Sequence, residues 1–265
     1  MAANAINANF GVFPLAVAIC ETECKDSWGW FLRHLHEHLG HNDNRSINFI
    51  TDRQKGVVDA IETWWPGSSN RFCVRHIFAN LRAKHKGNNS SDMVFKAAKS
   101  TNKADFDEAM KEMREAYMNA YNYMSRIPVC HWSRHAFDLH VKSDHVINNI
   151  SECFNSWIDR FRGQPALTLL ENLRRSFMKR FHKRLQEAKK WRTETPPGVW
   201  GKLTENQDYG RFVQVMCASD AEYEMKERKK YYIMRLDLKT CDCRSWEING
   251  IPCKHAMAVI TATRR

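Results

Sequence analysis

CDCRSWEINGIPCKHAMAVI, residues 241–260, places four metal-ligating side chains within fifteen positions. Cys241 and Cys243 are one residue apart; nine residues later Cys253 and His255 are again one apart. Three thiolates and an imidazole fill a tetrahedral zinc site and leave no open position for a substrate, as in a structural metal centre. Each pair is too tightly spaced to share one helical face, so a strand or turn must present it. Gly250 and Pro252 supply the turn that returns the second pair, and AMAVITA (256–262) can continue from His255 as a short helix. Cysteines buried only for packing would not fall into two such pairs in so short a stretch.

Working outward, FVQVMC (212–217) and YYIMRLDL (231–238) alternate as strands do, with Tyr232, Met234, Leu236 and Leu238 on one face. ETPPGVWG (194–201) is a Pro/Gly break. The sequence therefore predicts a linker over 193–208 and a small zinc-binding module over 209–265. Before the break, residues 92–192 read as almost wholly helical. Phe106, Met110, Met113, Tyr117, Tyr121 and Met124 form one amphipathic stripe; Ile147, Ile150, Phe154, Trp157, Ile158 and Phe161 form another. A third helix is predicted from Pro165 to Trp191. Residues 10–80 alternate strand and helix: FPLAVAIC (13–20) as a buried strand, then a helix capped by Ser27 and ended by Gly40. SINFIT (46–51) follows as a strand, then RQKGVVDAIETWW (53–65) as a helix stopped by Pro66, RFCV (71–74) as a strand, and a helix from His76. That order predicts an α/β half with a largely parallel sheet.

Charge narrows the function. Lys and Arg number 41 against 30 Asp and Glu, a net of +11, with a pI near 9.3. Such an excess points to an anionic partner, nucleic acid before membrane. Residues 160–192 concentrate it, with eleven Lys and Arg against Glu171 and Glu187. Arg174, Arg175, Lys179, Arg180, Lys183 and Arg184 are the candidate contacts to DNA phosphates, while Phe177, Phe181 and Trp191 are expected to face the core. No base-reading motif accompanies them. Nine cysteines at irregular spacings argue for reduced thiols or metal ligands rather than a secreted disulfide framework, and for an intracellular protein. The apolar run Phe10–Cys20 has no preceding basic residue and is interrupted by Pro14, unlike a signal segment, and no stretch resembles a membrane span.

The ligand pattern, with Trp246, Gly250 and Pro252 between the pairs, resembles a SWIM-type zinc finger. Its W…GIPCKHA form is similar to that of plant Mutator-like transposases and their domesticated relatives, the far-red-response regulators. FPLAVAICETECKDSWGWFLRHL, ITDRQKGVVDAI, WPGSSNRFCVRHIFANLR and VINNISECFNSWI resemble further blocks of that family, in the family's order. The resemblance implies a partial ribonuclease H-like core over 10–90, a helical insertion over 91–145, and return helices of the core over 146–192. It also implies a nuclear protein and two-metal phosphoryl transfer by three carboxylates. Asp52 corresponds to the second carboxylate and Glu152 to the third. Cys73 and His76 correspond to the family's Cys-x-x-His signature, a candidate second metal site.

The first carboxylate has no counterpart. Residues 1–20 contain neither Asp nor Glu, and the family's first catalytic strand and the one after it are expected to be missing. The expectation is therefore a zinc-binding, DNA-associated protein that is catalytically inactive on its own, with an α/β half that leans on a partner. Mg(2+) or Mn(2+) would enter only if the site were completed by a longer product or a partner, restoring a DNA-cleaving enzyme. A protein-interaction module working through the finger, with a protein partner or a second copy, is the third reading. From the residues alone, Asp52 reads first as an N-cap, Glu152 as a site or as plain solvent-facing polarity, and Cys73/His76 as structural. His34 and His38, at i and i+4, could clip a metal but lack the order of a HExxH site.

Overall fold

The hairpin that opens the chain is made by its turn. Asn7 Oδ1 accepts the backbone N–H groups of Asn9 and Gly11, at 3.1 and 2.8 Å, and Phe10 adopts a φ of 59°. The amide side chain satisfies backbone donors that the turn leaves out of the ladder. So β1 (Ala2–Ile6) returns antiparallel on β2 (Val12–Val17). A computed structural model describes residues 1–40, 47–54, 56–87 and 89–263; Ser46 and Lys55 of the expected elements lie outside them. One strand does therefore precede FPLAVA, where none was expected. Nor is β2 a buried strand: Phe13 and Leu15 are exposed and Pro14 alone in it is buried. In a two-stranded sheet every strand is an edge, and an edge tolerates a residue without an N–H.

Helix α1 (Lys25–Leu39) starts earlier than expected. Cys24 is its N-cap, and Ser27 sits three positions in, its Oγ accepting the Cys24 N–H at 2.9 Å. Gly40 ends it as expected, with a φ of 60° and its N–H on the His36 carbonyl. α1 buries Phe31, Leu32 and Leu35 against Val57, Ala60 and Ile61 of α2 (Val57–Trp64) and against Trp65. Gly56 opens α2 at a φ of 91°, and a Cβ there would stand 2.5 Å from the Lys25 Cα, so the approach of the two helices requires glycine. Asp52 is not the cap of α2: its Oδ1 accepts the Gln54 N–H at 3.0 Å, four residues too early.

α2 crosses between β3 (Asn48–Thr51) and β4 (Ser69–Phe72), which pair in parallel. The described strands of this half thus make two separate pairs rather than the continuous, largely parallel sheet the sequence predicted. Each pair is closed by its own local connection, a turn or a crossover helix, and no described strand bridges them. A cavity of about 1230 Å³ lies between.

The middle of the chain is helical but less so than its pattern predicts. α3 (Val74–Lys84), α4 (Ser91–Lys99), α5 (Lys103–Ala116) and α6 (Met118–Met124) share a core that includes Met113, Met124 and Trp132. The stripe from Phe106 to Met124 breaks at Tyr117, whose extended φ of −144° splits it into two helices. Residues 125–148 then run irregularly apart from short 3-10 turns at Val129–His131 and Arg134–Ala136. Buried Arg71 holds this run against β4: its Nη1 donates to the Ser143 carbonyl at 2.7 Å, and its guanidinium lies 3.8 Å from the Phe137 ring centre. α7 (Asn149–Ile158), capped by Asn148 Oδ1 on the Ser151 N–H, and α8 (Ala166–Ala188) follow.

The expected linker over 193–208 is instead mostly helix. α9 (Pro197–Gly210) begins with Pro at its first position, where the missing N–H costs nothing. It packs on α11 (Lys254–Thr263), so closely that a Cβ on Gly210 would stand 2.9 Å from the Lys254 carbonyl oxygen. The C-terminal sheet is an antiparallel meander of β5 (Gln214–Cys217), β6 (Glu222–Glu227), β7 (Lys230–Arg235) and β8 (Thr240–Cys241). β6 and β8 escaped the sequence pattern, and Leu236 and Leu238 fall beyond β7.

Candidate metal centre

Cys241 ends β8. The chain then turns through Cys243 and Arg244, whose φ is 55°, into the single turn of α10 (Ser245–Asn249). Gly250, at a φ of 76°, ends α10 and turns the chain toward Cys253. Cys253 caps α11, with the Met257 N–H on its carbonyl, and His255 lies in the first turn of that helix. A strand end, a turn, a helix cap and a first helical turn thus each present one ligand. The three Sγ atoms and one imidazole nitrogen all lie within 4.8 Å of one another. Cys241, Cys253 and His255 are buried among Tyr223, Met225, Met234 and Val259.

The side chains fit a zinc ion. His255 Nδ1 stands 3.5 Å from Cys241 Sγ, facing the sulfur cluster, while Nε2 lies 3.2 Å from Glu227 Oε2. Proton donation from Nε2 to that carboxylate leaves the Nδ1 lone pair for a metal. Glu227, at the end of β6, is also ion-paired with Lys254, and the Tyr232 ring packs 4.3 Å from the imidazole. Hydrogen bonds with Cys243 and Cys253, and then burial, push the Cys241 thiol up; hydrogen bonds from Cys241 and Cys243 hold Cys253 down. The cluster by itself therefore favours one thiolate, and a cation is what makes three stable together. Glu227 was not legible beforehand, because no spacing links it to ligands on other elements.

Elsewhere the expected site residues are less concentrated. Asp52 and Glu152 line the same cavity. Glu152, however, is ion-paired with Arg75, whose Nη2 also donates to Asn149 Oδ1 at 2.7 Å. Among the described residues no third His, Cys, Asp or Glu joins them in a metal-sized group. Cys73 caps α3 and its Sγ accepts the Asn148 N–H at 3.2 Å, tying α3 to the start of α7. His76 lines the cavity with a buried Nδ1 that lacks a partner. His34 packs edge-on to Trp30 and contacts Glu37 at 3.3 Å, without His38 joining it; His41 lies outside the described residues.

The basic helix α8 divides into two faces. Arg174, Arg175, Lys179 and Lys183 are exposed. Arg174 and Arg175 both bond Glu171, whose carboxyl they hold down at about 2. Arg180 and Arg184 turn inward instead. Arg180 lies 5.3 Å over the Trp157 ring, and Arg184 Nη1 donates to the Val12 carbonyl at 2.6 Å. Both fall on the helix side of Phe177 and Phe181, which stack with Trp157 and Phe13 respectively. These two arginines join α8 to the hairpin and α7 and are not available as an outward phosphate face. No described helix is long and apolar enough to cross a membrane.

Comparison with known families gives each end of the chain a counterpart. Residues 1–80 match the MULE transposase domain, and residues 220–263 match the SWIM zinc finger. The second match spans all four ligands and Glu227. No curated protein matches the chain. The pairing of a MULE transposase domain with a SWIM finger makes the chain a transposase-derived, zinc-binding protein.

Proposed function

We propose that this transposase-derived, zinc-binding chain associates with DNA through backbone phosphates in the nucleus of a plant cell and does not cleave DNA on its own. The observation that carries the DNA reading is the exposed face of α8, where Arg174, Arg175, Lys179 and Lys183 stand outward while the aromatic residues of the helix pack inward. A solvated helix needs no such bias, and the net charge of +11 extends it over the chain. The zinc ion is structural in this reading: it fixes β8, α10 and α11 in one unit. The α/β half is read as the remnant of a ribonuclease H-like core related to the far-red-response proteins.

The inactive reading rests on the carboxylates. Two-metal catalysis holds both ions with acids from several strands and helices. Here Glu152 is engaged by Arg75 and Asp52 by the Gln54 backbone, with no third acid beside them among the described residues. One observation favours the second reading, a completed enzyme: both acids do line a single cavity.

The test is duplex binding by the zinc-loaded chain across a salt series. Affinity should fall linearly with log salt. Replacing Arg174, Arg175, Lys179 and Lys183 by Gln should flatten the slope by about 0.9 for each phosphate that is no longer neutralised. Binding indifferent to salt removes the DNA reading. Nicking of DNA by the chain alone with Mg(2+) removes the inactive one.

A further inference from the structure

The cavity in the α/β half has the walls of a missing sheet strand. Every residue of β1 and every residue of β3 lines it, whereas none of β4 does. The partner of each strand is on its other side, since β1 pairs only with β2 and β3 only with β4. Two unpaired strand edges therefore border one space. Apolar groups enclose it from both helix pairs: Phe31 and Val57 from α1 and α2, Ile150 and Leu173 from α7 and α8. At about 1230 Å³ the space exceeds the range of about 300–1000 Å³ usual for small-molecule sites.

A second, independent observation is polar. The Asn4 amide, through both its oxygen and its nitrogen, the Asn48 Oδ1, and the indole N–H groups of Trp28 and Trp65 are buried without hydrogen-bond partners. All four residues line the cavity. Unpaired buried groups of this kind are destabilising by about 1–3 kcal/mol each. An apolar ligand would leave them so; a peptide backbone, with a donor and an acceptor on every residue, offers partners.

We propose that this cavity is an acceptor slot for one extended, apolar segment of a partner polypeptide, which pairs with β1 and β3 at once and merges the two half-sheets into one. The segment is rich in Val and Ile and uncharged over its buried stretch of about five residues, the length of β1 at about 3.3 Å per residue. A strand enclosed on both faces by apolar helices reads as such a run rather than as an alternating one. Recognition is by strand addition: main-chain hydrogen bonds give affinity and the apolar walls select the side chains. This stands apart from the DNA reading, since a chain that bound no DNA would take the segment equally well.

The test uses the zinc-loaded full chain and a capped, fluorescent peptide of alternating Val and Ile with Lys at both ends. A second peptide of identical sequence carries N-methyl groups on alternate backbone amides of one edge. The first should bind saturably at one per chain and slow amide exchange in Ala2–Ile6 and Asn48–Thr51 at least tenfold, while the N-methylated peptide binds at least tenfold more weakly. Equal binding of the two peptides would overturn the proposal, leaving a greasy cleft without strand pairing. So would binding that leaves both strands unprotected. A peptide-free chain that is dimeric, with those amides already protected, would assign the slot to a second copy and likewise overturn it.

Discussion

The two ends of this chain solve the same problem in opposite ways. The C-terminal module has a small apolar core, centred on Met225, Met234 and Val259, and closes it with four ligands drawn from fifteen consecutive positions. Its strands form one meander in which every neighbour in space is a neighbour in sequence. The N-terminal half has larger side chains to bury, Trp65 and Phe31 among them, yet its strands remain in two pairs around an open space. Apolar material alone does not complete a sheet. Pairing does, and at the C-terminus local connections and a metal site supply it.

The strongest way to break the comparison is to remove a ligand. Cys253→Ser should reduce zinc from one per chain to near none, because three donors with a weak fourth cannot hold the ion against water. Structural zinc is worth on the order of 10 kcal/mol of folding free energy in small domains. Protection of β5–β8 amides from exchange should therefore vanish, while the α4–α6 core keeps its own. Zinc content by mass spectrometry and exchange by NMR check both halves of that outcome; a retained zinc equivalent would refute the ligand assignment.

A smaller effect sharpens the same contrast from outside the ligand set. Glu227→Ala leaves all four donors in place but frees the His255 ring to rotate and to change tautomer. Loss of such an outer carboxylate typically costs 10–100-fold in metal affinity, and competition with a chromophoric chelator should read a weakening of that order. Glu227→Gln, which can still accept the Nε2 proton, should recover much of it. If Ala and wild type compete equally, Glu227 is only the partner of Lys254.

The smallest expected effect lies at the seam between the regions. Lys230 Nζ of β7 meets Asp105 Oδ1 of α5 at 2.5 Å. Burial alone would raise the Asp105 carboxyl, but hydrogen bonds from Lys230 and Asn102 and the Lys230 charge hold it below the usual range. A depressed carboxylate contributes fully above its unfolded value, near pH 4, and the contribution disappears as pH falls through the folded one. Both groups are substantially exposed, so the pair is worth at most about 1 kcal/mol. Urea midpoints of wild type and Asp105→Asn should differ slightly at pH 6 and converge toward pH 3. A constant difference would place the effect elsewhere.

What could be read from the sequence follows the same division. The four ligands were legible because they are local, and so was the end of α1, where Gly40 has no competitor. The helix in place of the 193–208 linker was legible in principle: Pro196-Pro197 followed by an apolar-periodic run is a helix start as well as a break. The inward turn of Arg180 and Arg184 was legible too, since they lie three or four residues from Phe177 and Phe181 and share their face. Glu227 and the split sheet were not, because each depends on which strands meet across long separations, and that information is carried by no single window of residues.

The geometry of the metal centre also imposes an order in time. Three bonds of the C-terminal module run back into the helical block: Lys142 Nζ to the Glu247 carbonyl, Arg244 to the His135 carbonyl, and Lys230 to Asp105. On a chain made from its N-terminus, those receiving residues are synthesised about a hundred positions before the ligands. The helices can fold as they emerge, but no zinc can be enclosed until His255 has cleared the ribosome. Metal capture is thus a late event of biogenesis, carried out on a scaffold already standing. A cell short of zinc would accumulate chains whose helical block is formed and whose C-terminal strands are open to proteases.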